Sequence, residues 1–326
     1  MTSVAAPRGS RAPRLAAFSG LVRRGGAVWV IVLALVLALT FARGTGFWNS
    51  GNIAAVLAGA AVLGLVALGQ HVVVLGGGID LSVGSMVTLT SLLTAVLVDG
   101  YPIRTVPVIV AMVVLGAAMG LLNGSLVSVA RLPPFIVTLG MLYLVSGVAL
   151  TVSATPAGRV TAALTDFSRA TLGPVPAPFL VLVAAVAAVW LLLARTPWGR
   201  HLYAVGGDQH AARAAGVRVR PVLLGAYVTS GVLAGLAGVL LAARSAIGSP
   251  TAGSGLELSA ITAVVIGGTS LLGGRGSLLG TVGGVALLAL ITNAITLLQL
   301  PSTWTDLVRG LIIIAAVAVF VVRRPR

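Results

Sequence analysis

Few side chains in this 326-residue chain could do chemistry. Its acidic residues are Asp80, Asp99, Asp166, Asp208, Glu257 and Asp306, and its histidines are His71, His201 and His210. It has no cysteine, which excludes disulfides, thiolate metal sites and a thiol nucleophile. It also has no lysine, which excludes a phosphate-binding P-loop and a Schiff-base lysine. If ATP drives this protein, another chain must therefore hydrolyse it.

The arrangement of these residues does not favour catalysis within the chain. His71 is the only histidine in a long apolar run, and no HExxH, GxSxG or paired-aspartate pattern accompanies it. A lone histidine near a helix end is more often a packing residue. An intramembrane enzyme is therefore disfavoured, and we expect the chain to hold no metal or other cofactor of its own.

The composition is that of a membrane protein. Hydrophobic residues make up 58% of the chain, charged residues only 8%, and the mean hydropathy is +1.11. A soluble protein carries about a quarter charged residues, so lipid must be the solvent for most of this chain. The formal net charge is +15, but the arginines lie in loops and tails rather than along a groove. The charge therefore indicates membrane topology and not nucleic-acid binding.

Ten apolar segments are candidate transmembrane helices, since a span needs about 20 apolar residues. They lie at 28–42, 52–75, 80–98, 105–129, 134–154, 177–194, 221–243, 256–272, 277–298 and 306–322. With the N-terminus inside, the inner loops take fifteen arginines and the outer loops six, which also places the C-terminus in the cytoplasm. Eight or twelve spans remain possible, and a broken or re-entrant segment at 256–272 is an open alternative.

The predicted fold is thus an all-α integral membrane protein of about ten helices, some of them broken. Residues 1–27 are expected to be a disordered cytoplasmic tail, and residues 28–326 a single polytopic domain. Two outer segments, 155–176 and 244–255, connect spans, and the first could form a short surface helix. A polar island at 195–221 lies on the inner side and holds five arginines and two histidines.

Two glycine-rich breaks interrupt the apolar pattern, at 76–84 and 267–280. Asp80 lies in the first break, where it is expected to cap the following helix or to take a lining or gating role. Glu257, the only glutamate, precedes the second break and suits a helix N-terminus. Other polar residues of the apolar segments are candidates for a translocation path: Gln70, Asn123, Thr138 and Thr269.

The island predicts a short helix that needs a partner surface. Asp208 is placed to cap a helix from Gln209 to Ala215, Gly216 to end it, and Gly206-Gly207 to act as a flexible link before it. A helix of about seven residues is unstable alone in water, so it must pack on something. The alternative is a surface helix held by the protein's own helix ends.

Four ordered segments resemble the permease subunits of bacterial ATP-binding-cassette importers for monosaccharides, which are related to branched-chain amino-acid permeases. They are GGIDLSVGS (77–85), PPFIVTLG (133–140), RTPWGRHLYAVGGDQHAARAAGV (195–217) and AVVIGGTSLLGGRGSLLGT (263–281). The resemblance runs from about Asn52 to the C-terminus. In this chain a histidine, His210, stands where the family's coupling loop usually has a glutamate.

The resemblance implies a multi-pass protein of the bacterial cytoplasmic membrane with several partners. These are a second permease copy or a paralogue, cytoplasmic ATP-binding subunits that hold ATP and magnesium, and an extracytoplasmic solute-binding protein. The island would be the coupling loop that docks on the ATP-binding subunit, through Asp208, His210, Ala211, Ala212, Arg213 and Gly216. A branched-chain amino-acid or nucleoside permease is an alternative within this class, and an ion-driven secondary transporter is a less favoured one outside it.

Overall fold

The computed structural model describes residues 26–301 together with residues 303, 307, 310 and 311, and the described part is almost entirely helical. Seven helices are long and apolar enough to cross a membrane: α1 (Gly26–Arg43), α2 (Ser50–Leu75), α4 (Pro102–Ser128), α5 (Pro134–Val152), α7 (Ala177–Arg195), α10 (Val219–Ser245) and α12 (Leu278–Leu297). Two apolar helices are shorter: α3 (Val83–Val98) and α11 (Leu256–Ile266). Three short helices lie between spans: α6 (Ala162–Arg169), α8 (Pro197–Gly207) and α9 (Gln209–Ala214).

Most predicted spans correspond to one of these nine apolar helices. The first begins at Gly26, two residues before the predicted start of that span at residue 28. The tenth predicted span, 306–322, lies outside the described residues except for isolated positions, as do residues 1–25. A count of about ten and the cytoplasmic location of both termini therefore stay predictions.

Helices α2 and α10 form the centre of the bundle. Helix α10 packs on α4 along a line of glycines, where Gly116 and Gly120 face Gly231 and Gly235. A Cβ placed on Gly235 would lie 2.6 Å from the carbonyl oxygen of Met112, so the two backbones nearly touch. Small residues permit this approach between membrane helices, which lack a hydrophobic force to hold them together within lipid.

The segments assigned to the outer side contact one another. The amide of Gly100 donates to the carbonyl of Arg159 at 3.0 Å, and Ala157 pairs with Gly248 in an isolated antiparallel bridge. The predicted surface helix within 155–176 is present as α6, and a small hairpin of β1 (Thr171–Leu172) and β2 (Val175–Pro176) follows it. These contacts agree with the predicted alternation of inner and outer loops.

The prediction of one crossing helix at 256–272 is wrong, and the alternative of a broken segment describes it better. Helix α11 has 11 residues, about 16 Å of helix, which is half of a bilayer core. The other half is crossed by the non-helical segment before it. Gly248 packs on Leu92 of α3, and Gly253 donates to the hydroxyl of Thr88 at 2.9 Å, so this segment descends along α3.

Candidate functional site

The first break begins where α2 ends at Leu75. The amide of Gly77 bonds to the carbonyl of Val74 at 2.9 Å, and that of Gly78 to Val73 at 3.1 Å. Gly77 has a φ of 82°, in the left-handed region that closes such helix ends. The chain then turns through residues 78–82 and enters α3. This turn is buried at most positions, so its polar groups need partners within the protein.

Asp80 is fully buried at the middle of this turn and holds three segments together. Its Oδ1 accepts from the amide of Ser82 at 3.0 Å and from the Ser82 hydroxyl at 2.6 Å. Its Oδ2 accepts from the hydroxyl of Ser230 on α10 at 3.2 Å. Asp80 thus accepts a hydrogen bond from an amide at the start of α3, as expected of a capping residue, but Ser82 rather than Asp80 occupies the N-cap position.

Asn123 and Thr138 attach two further helices to the same turn. The Asn123 side chain on α4 donates to the Ser82 hydroxyl at 2.8 Å. The Thr138 hydroxyl on α5 contacts the carbonyl of Ile79 at 3.1 Å. Both side chains are fully buried. Asp80, Asn123 and Thr138, all predicted path residues, therefore converge on one buried turn. Because the turn is bonded to α3, α4, α5 and α10, a shift of the turn must also displace these helices.

Thr269 belongs to a second buried polar group with His71, the residue after Gln70 on α2. Thr269, in the break between α11 and α12, lies with its hydroxyl 3.1 Å from Nδ1 of His71, and Thr281 lies at 2.9 Å from the same nitrogen. His71 is thus a buried packing residue that joins α2 to α12. The amide group of Gln70 and the Nε2 of His71 are buried without a hydrogen-bond partner among the described residues.

Glu257 lies in the first turn of α11, as expected of a carboxylate at a helix N-terminus. Its Oε1 accepts from the amide of Gly255 at 3.2 Å. Its carboxylate also packs directly on Gly84, in the first turn of α3, so that a Cβ on Gly84 would overlap it. Glu257 is only half-buried, unlike Asp80. It is therefore adjacent to two helix N-termini at once.

The island folds as two helices, and its short helix matches the prediction closely. Asp208 accepts from the amides of His210 at 2.7 Å and Ala211 at 3.0 Å. These amides, Ala211 foremost, hold the pKa of the Asp208 carboxyl below its ordinary value. Gly216 follows the helix and has a φ of 82°. Its backbone amide donates a hydrogen bond to the carbonyl of Arg213 at 2.9 Å.

Among the predicted docking residues, only Ala212 is buried. The side chains of His210, Ala211 and Arg213 are exposed, and so are Asp208 and Gly216. The buried Ala212 packs α9 against the bundle. One face of α9 is therefore supported by the protein itself, as the alternative interpretation expected. The exposed face remains available to a partner.

The prediction of a flexible link at Gly206-Gly207 is wrong, because both residues form the last turn of α8. Gly206 is buried in contact with both breaks. A Cβ on it would overlap the carbonyl oxygen of Leu75 and lie 2.6 Å from the amide nitrogen of Gly274. That amide in turn donates to the Leu75 carbonyl at 3.0 Å.

The second break completes this contact. A Cβ on Gly273 would lie 2.7 Å from the carbonyl oxygen of Gly206 and 2.8 Å from the Cα of Gly77. We call the meeting point of Leu75–Gly77, Gly206–Gly207 and Gly273–Gly274 the glycine junction. Only residues without side chains permit three backbone segments to approach so closely. Sequence reasoning noted each glycine pair but had no signal that the three pairs meet.

The described residues form no constellation for catalysis or for metal binding. No group of three or more His, Cys, Asp or Glu side chains among them could hold a metal ion. What the geometry offers instead is mechanical. The polar island contacts the end of α2 and the break between α11 and α12, and a buried carboxylate holds the turn after α2 to its neighbours.

Comparison with known proteins agrees with this arrangement. Residues 52–317 match the family described as the permease component of the branched-chain amino acid transport system. The fructose import permease of Rhizobium meliloti is 38% identical over 303 residues, which cover 90% of this chain and 84% of that protein. The ribose import permease of Escherichia coli K12 is 36% identical over 297 residues, covering 89% of this chain and 92% of the relative.

A third relative is the D-allose transport system permease of Escherichia coli K12, 35% identical over 293 residues, or 88% of this chain and 89% of that protein. No solved structure gives a significant match. The coverage by the family and the identity to these permeases are both high enough to settle membership. The chain is therefore a multi-pass permease subunit of an ATP-binding-cassette importer, a member of the branched-chain amino acid transport system permease family, and ATP hydrolysis belongs to a separate subunit.

Proposed function

We propose that this permease imports a monosaccharide delivered by an extracytoplasmic binding protein. The names of the relatives support a sugar, since they are permeases for fructose, ribose and allose. The interior polar groups of the described bundle are mainly Ser, Thr, Asn and Gln, which suit a neutral polar cargo. Such a cargo needs hydrogen-bond partners but no counter-charge.

Two copies of the chain, or one copy and a paralogue, form the transport unit with two ATP-binding subunits. Each copy has about ten spans, and both termini are cytoplasmic. The agreement between predicted sides and observed contacts supports this topology. The inner segments 76–82, 195–221 and 267–277 meet at the glycine junction, while the outer segments 99–104, 155–176 and 244–255 meet at the other end.

The ATP-binding subunit docks on the exposed face of the island. His210, Ala211, Arg213 and Gly216 provide that face, with Asp208 at the start of its helix. The glycine junction carries this proposal, because it places the island in backbone contact with both breaks. A displacement of α8 by the ATP-binding subunit then moves the end of α2 and the break between α11 and α12 directly, without a chain of flexible side chains between them.

Asp80, Asn123 and Thr138 respond to that movement as gating residues. They hold the first break to α4, α5 and α10, so they set how far the turn can shift. Thr269 has the corresponding position in the second break through its contact with His71, and Gln70 precedes His71 on α2. Glu257 is assigned to the path itself.

The substrate class is tested by uptake in a strain that lacks its own sugar permeases. The chain is expressed with its binding protein and ATP-binding subunit, and labelled ribose, fructose, allose, leucine and a nucleoside are supplied in parallel. We expect accumulation of one or more of the sugars and none of leucine. Accumulation of leucine alone would assign the chain to branched-chain amino-acid import, which the family description itself names.

A further inference from the structure

The segment between α10 and α11 reaches the middle of the membrane. It runs along α3, whose outer end is Val98. Gly248 lies against Leu92, Gly253 against Thr88, and Glu257 against Gly84. With a rise of about 1.5 Å per residue, these α3 positions lie about 9, 15 and 21 Å below Val98. In a hydrocarbon core about 30 Å thick, Gly253 is therefore near the midplane and Glu257 lies about 6 Å to its inner side.

At this depth the segment exposes polar groups. Thr251 and Ser254 are exposed and Glu257 is half-buried. The Ser254 hydroxyl makes no hydrogen bond within the described residues. The backbone here is a series of turns and not a helix.

The exposed face of α4 at comparable depth is apolar, as lipid requires. On α4 the exposed side chains include Val106, Val110 and Val114, and Val114 is 60% exposed. It lies twelve residues, or about 18 Å, below the outer end of α4 at Pro102. The contrast is between an apolar face that suits lipid and a polar, irregular face at the same level that does not.

Irregular backbone at membrane depth is tolerated only where it is buried in protein or lines a water-filled cavity. An ionisable residue within the membrane likewise faces the interior of an assembly or an aqueous path. Because Thr251 and Ser254 are exposed in the single chain, burial within its own fold does not account for them.

We propose that Thr251, Ser254 and Glu257 line the aqueous passage of the transporter and contact a neutral polyhydroxylated solute there. The two hydroxyls donate to and accept from sugar hydroxyls, and the Glu257 carboxylate accepts from them. A second copy of the chain supplies the opposite wall. This assignment rests on the proposed function and names the part of the chain that the solute touches.

Cysteine accessibility tests the passage directly, because the chain has no native cysteine to remove. The full-length variant Ser254→Cys is placed in lipid nanodiscs and treated with a charged, membrane-impermeant thiol reagent. Val114→Cys, at matching depth on the apolar face, is the control for lipid exposure. Thr171→Cys, on the exposed outer hairpin, is the control for full access to water.

We expect Ser254→Cys to react within about tenfold of the rate of Thr171→Cys, and Val114→Cys to react at least a hundredfold more slowly. Before labelling, Ser254→Cys should melt like the original chain, and its own unlabelled uptake is the reference for the labelled variant. After labelling with a bulky reagent, its ATP-driven uptake should fall at least tenfold. Labelled Thr171→Cys should keep its uptake.

Equal and slow reaction of Ser254→Cys and Val114→Cys would overturn the proposal and assign the segment to lipid or to a dry contact. Rapid reaction without loss of uptake would also overturn it, because the segment would then face water outside the passage. If a properly folded chain takes up no sugar but labels as expected, the proposed substrate class fails while the passage stands.

Discussion

The substitution Gly206→Ala tests the glycine junction with one methyl group. Its Cβ would overlap the Leu75 carbonyl oxygen and lie 2.6 Å from the Gly274 nitrogen, and both of these atoms belong to backbone. Overpacking a close contact costs about 1–3 kcal/mol. Displacing the 3.0 Å hydrogen bond from Gly274 to Leu75 adds about 1 kcal/mol. We therefore expect a loss of about 2–4 kcal/mol in the stability of this contact.

The adjacent Gly207→Ala is the matched control, since no atom lies within 4 Å of its added Cβ. Both variants are reconstituted with the ATP-binding subunit, and thermal unfolding, ATP hydrolysis and sugar uptake are measured. Gly206→Ala should lower the melting temperature and the number of sugar molecules carried per ATP, whereas Gly207→Ala should change neither. Equal behaviour of the two variants in both measurements would refute the role of the junction.

Three further substitutions or titrations test the docking helix and the first break. Gly216→Val should weaken docking of the ATP-binding subunit, because the left-handed backbone at this position costs a valine about 1–2 kcal/mol. Gly216→Asn should have a smaller effect. Equal affinities of the two variants and the original chain in a pull-down titration would contradict this. Asp80→Ala should cost at least about 2 kcal/mol, because the Ser82 amide and two hydroxyls lose their acceptor, and Asp80→Asn should recover part of it. A variant that melts normally but does not transport would assign Asp80 to gating alone. Because capping lowers the Asp208 pKa, its stabilisation of α9 is present above the unfolded pKa and lost only as pH falls through the folded one. Carbon NMR of that carboxyl should show a midpoint below 3.8, and a higher midpoint would refute the cap.

Much of the helical organisation follows from the sequence because apolar length and turn chemistry are local properties. The predicted span 134–154 and helix α5 both begin at Pro134, because a proline suits the first position of a helix. Asp208 and Gly216 predicted the two ends of α9 to within one residue. These signals act over one turn of helix, so they do not need the rest of the fold.

The glycine junction and the descent of residues 246–255 could not be predicted in this way. Both depend on contacts between segments more than sixty residues apart in the sequence, and a glycine has no side chain whose type could indicate what packs against it. The apolar run 256–272 is short for a spanning helix, and hydropathy does not distinguish a helix from the loop after it. That length and the glycines clustered between Gly267 and Gly276 were the two signs of a break.

Ser82 and Ser230 were missed for a related reason. A serine in an apolar helix usually bonds its own backbone, so nothing in the sequence marks these two as donors to Asp80. Only the packing of α10 against the first break brings Ser230 within reach. Sequence patterns therefore identify buried polar residues better than they identify the hydrogen-bond partners of those residues.

The energy source is the most direct test of the account. The purified chain is reconstituted in vesicles with and without its ATP-binding subunit, and uptake of the identified sugar is measured with ATP alone or with a proton or sodium gradient alone. Uptake should require both the subunit and ATP, and the chain by itself should hydrolyse no ATP. Uptake driven by an ion gradient in the absence of ATP would contradict the central claim.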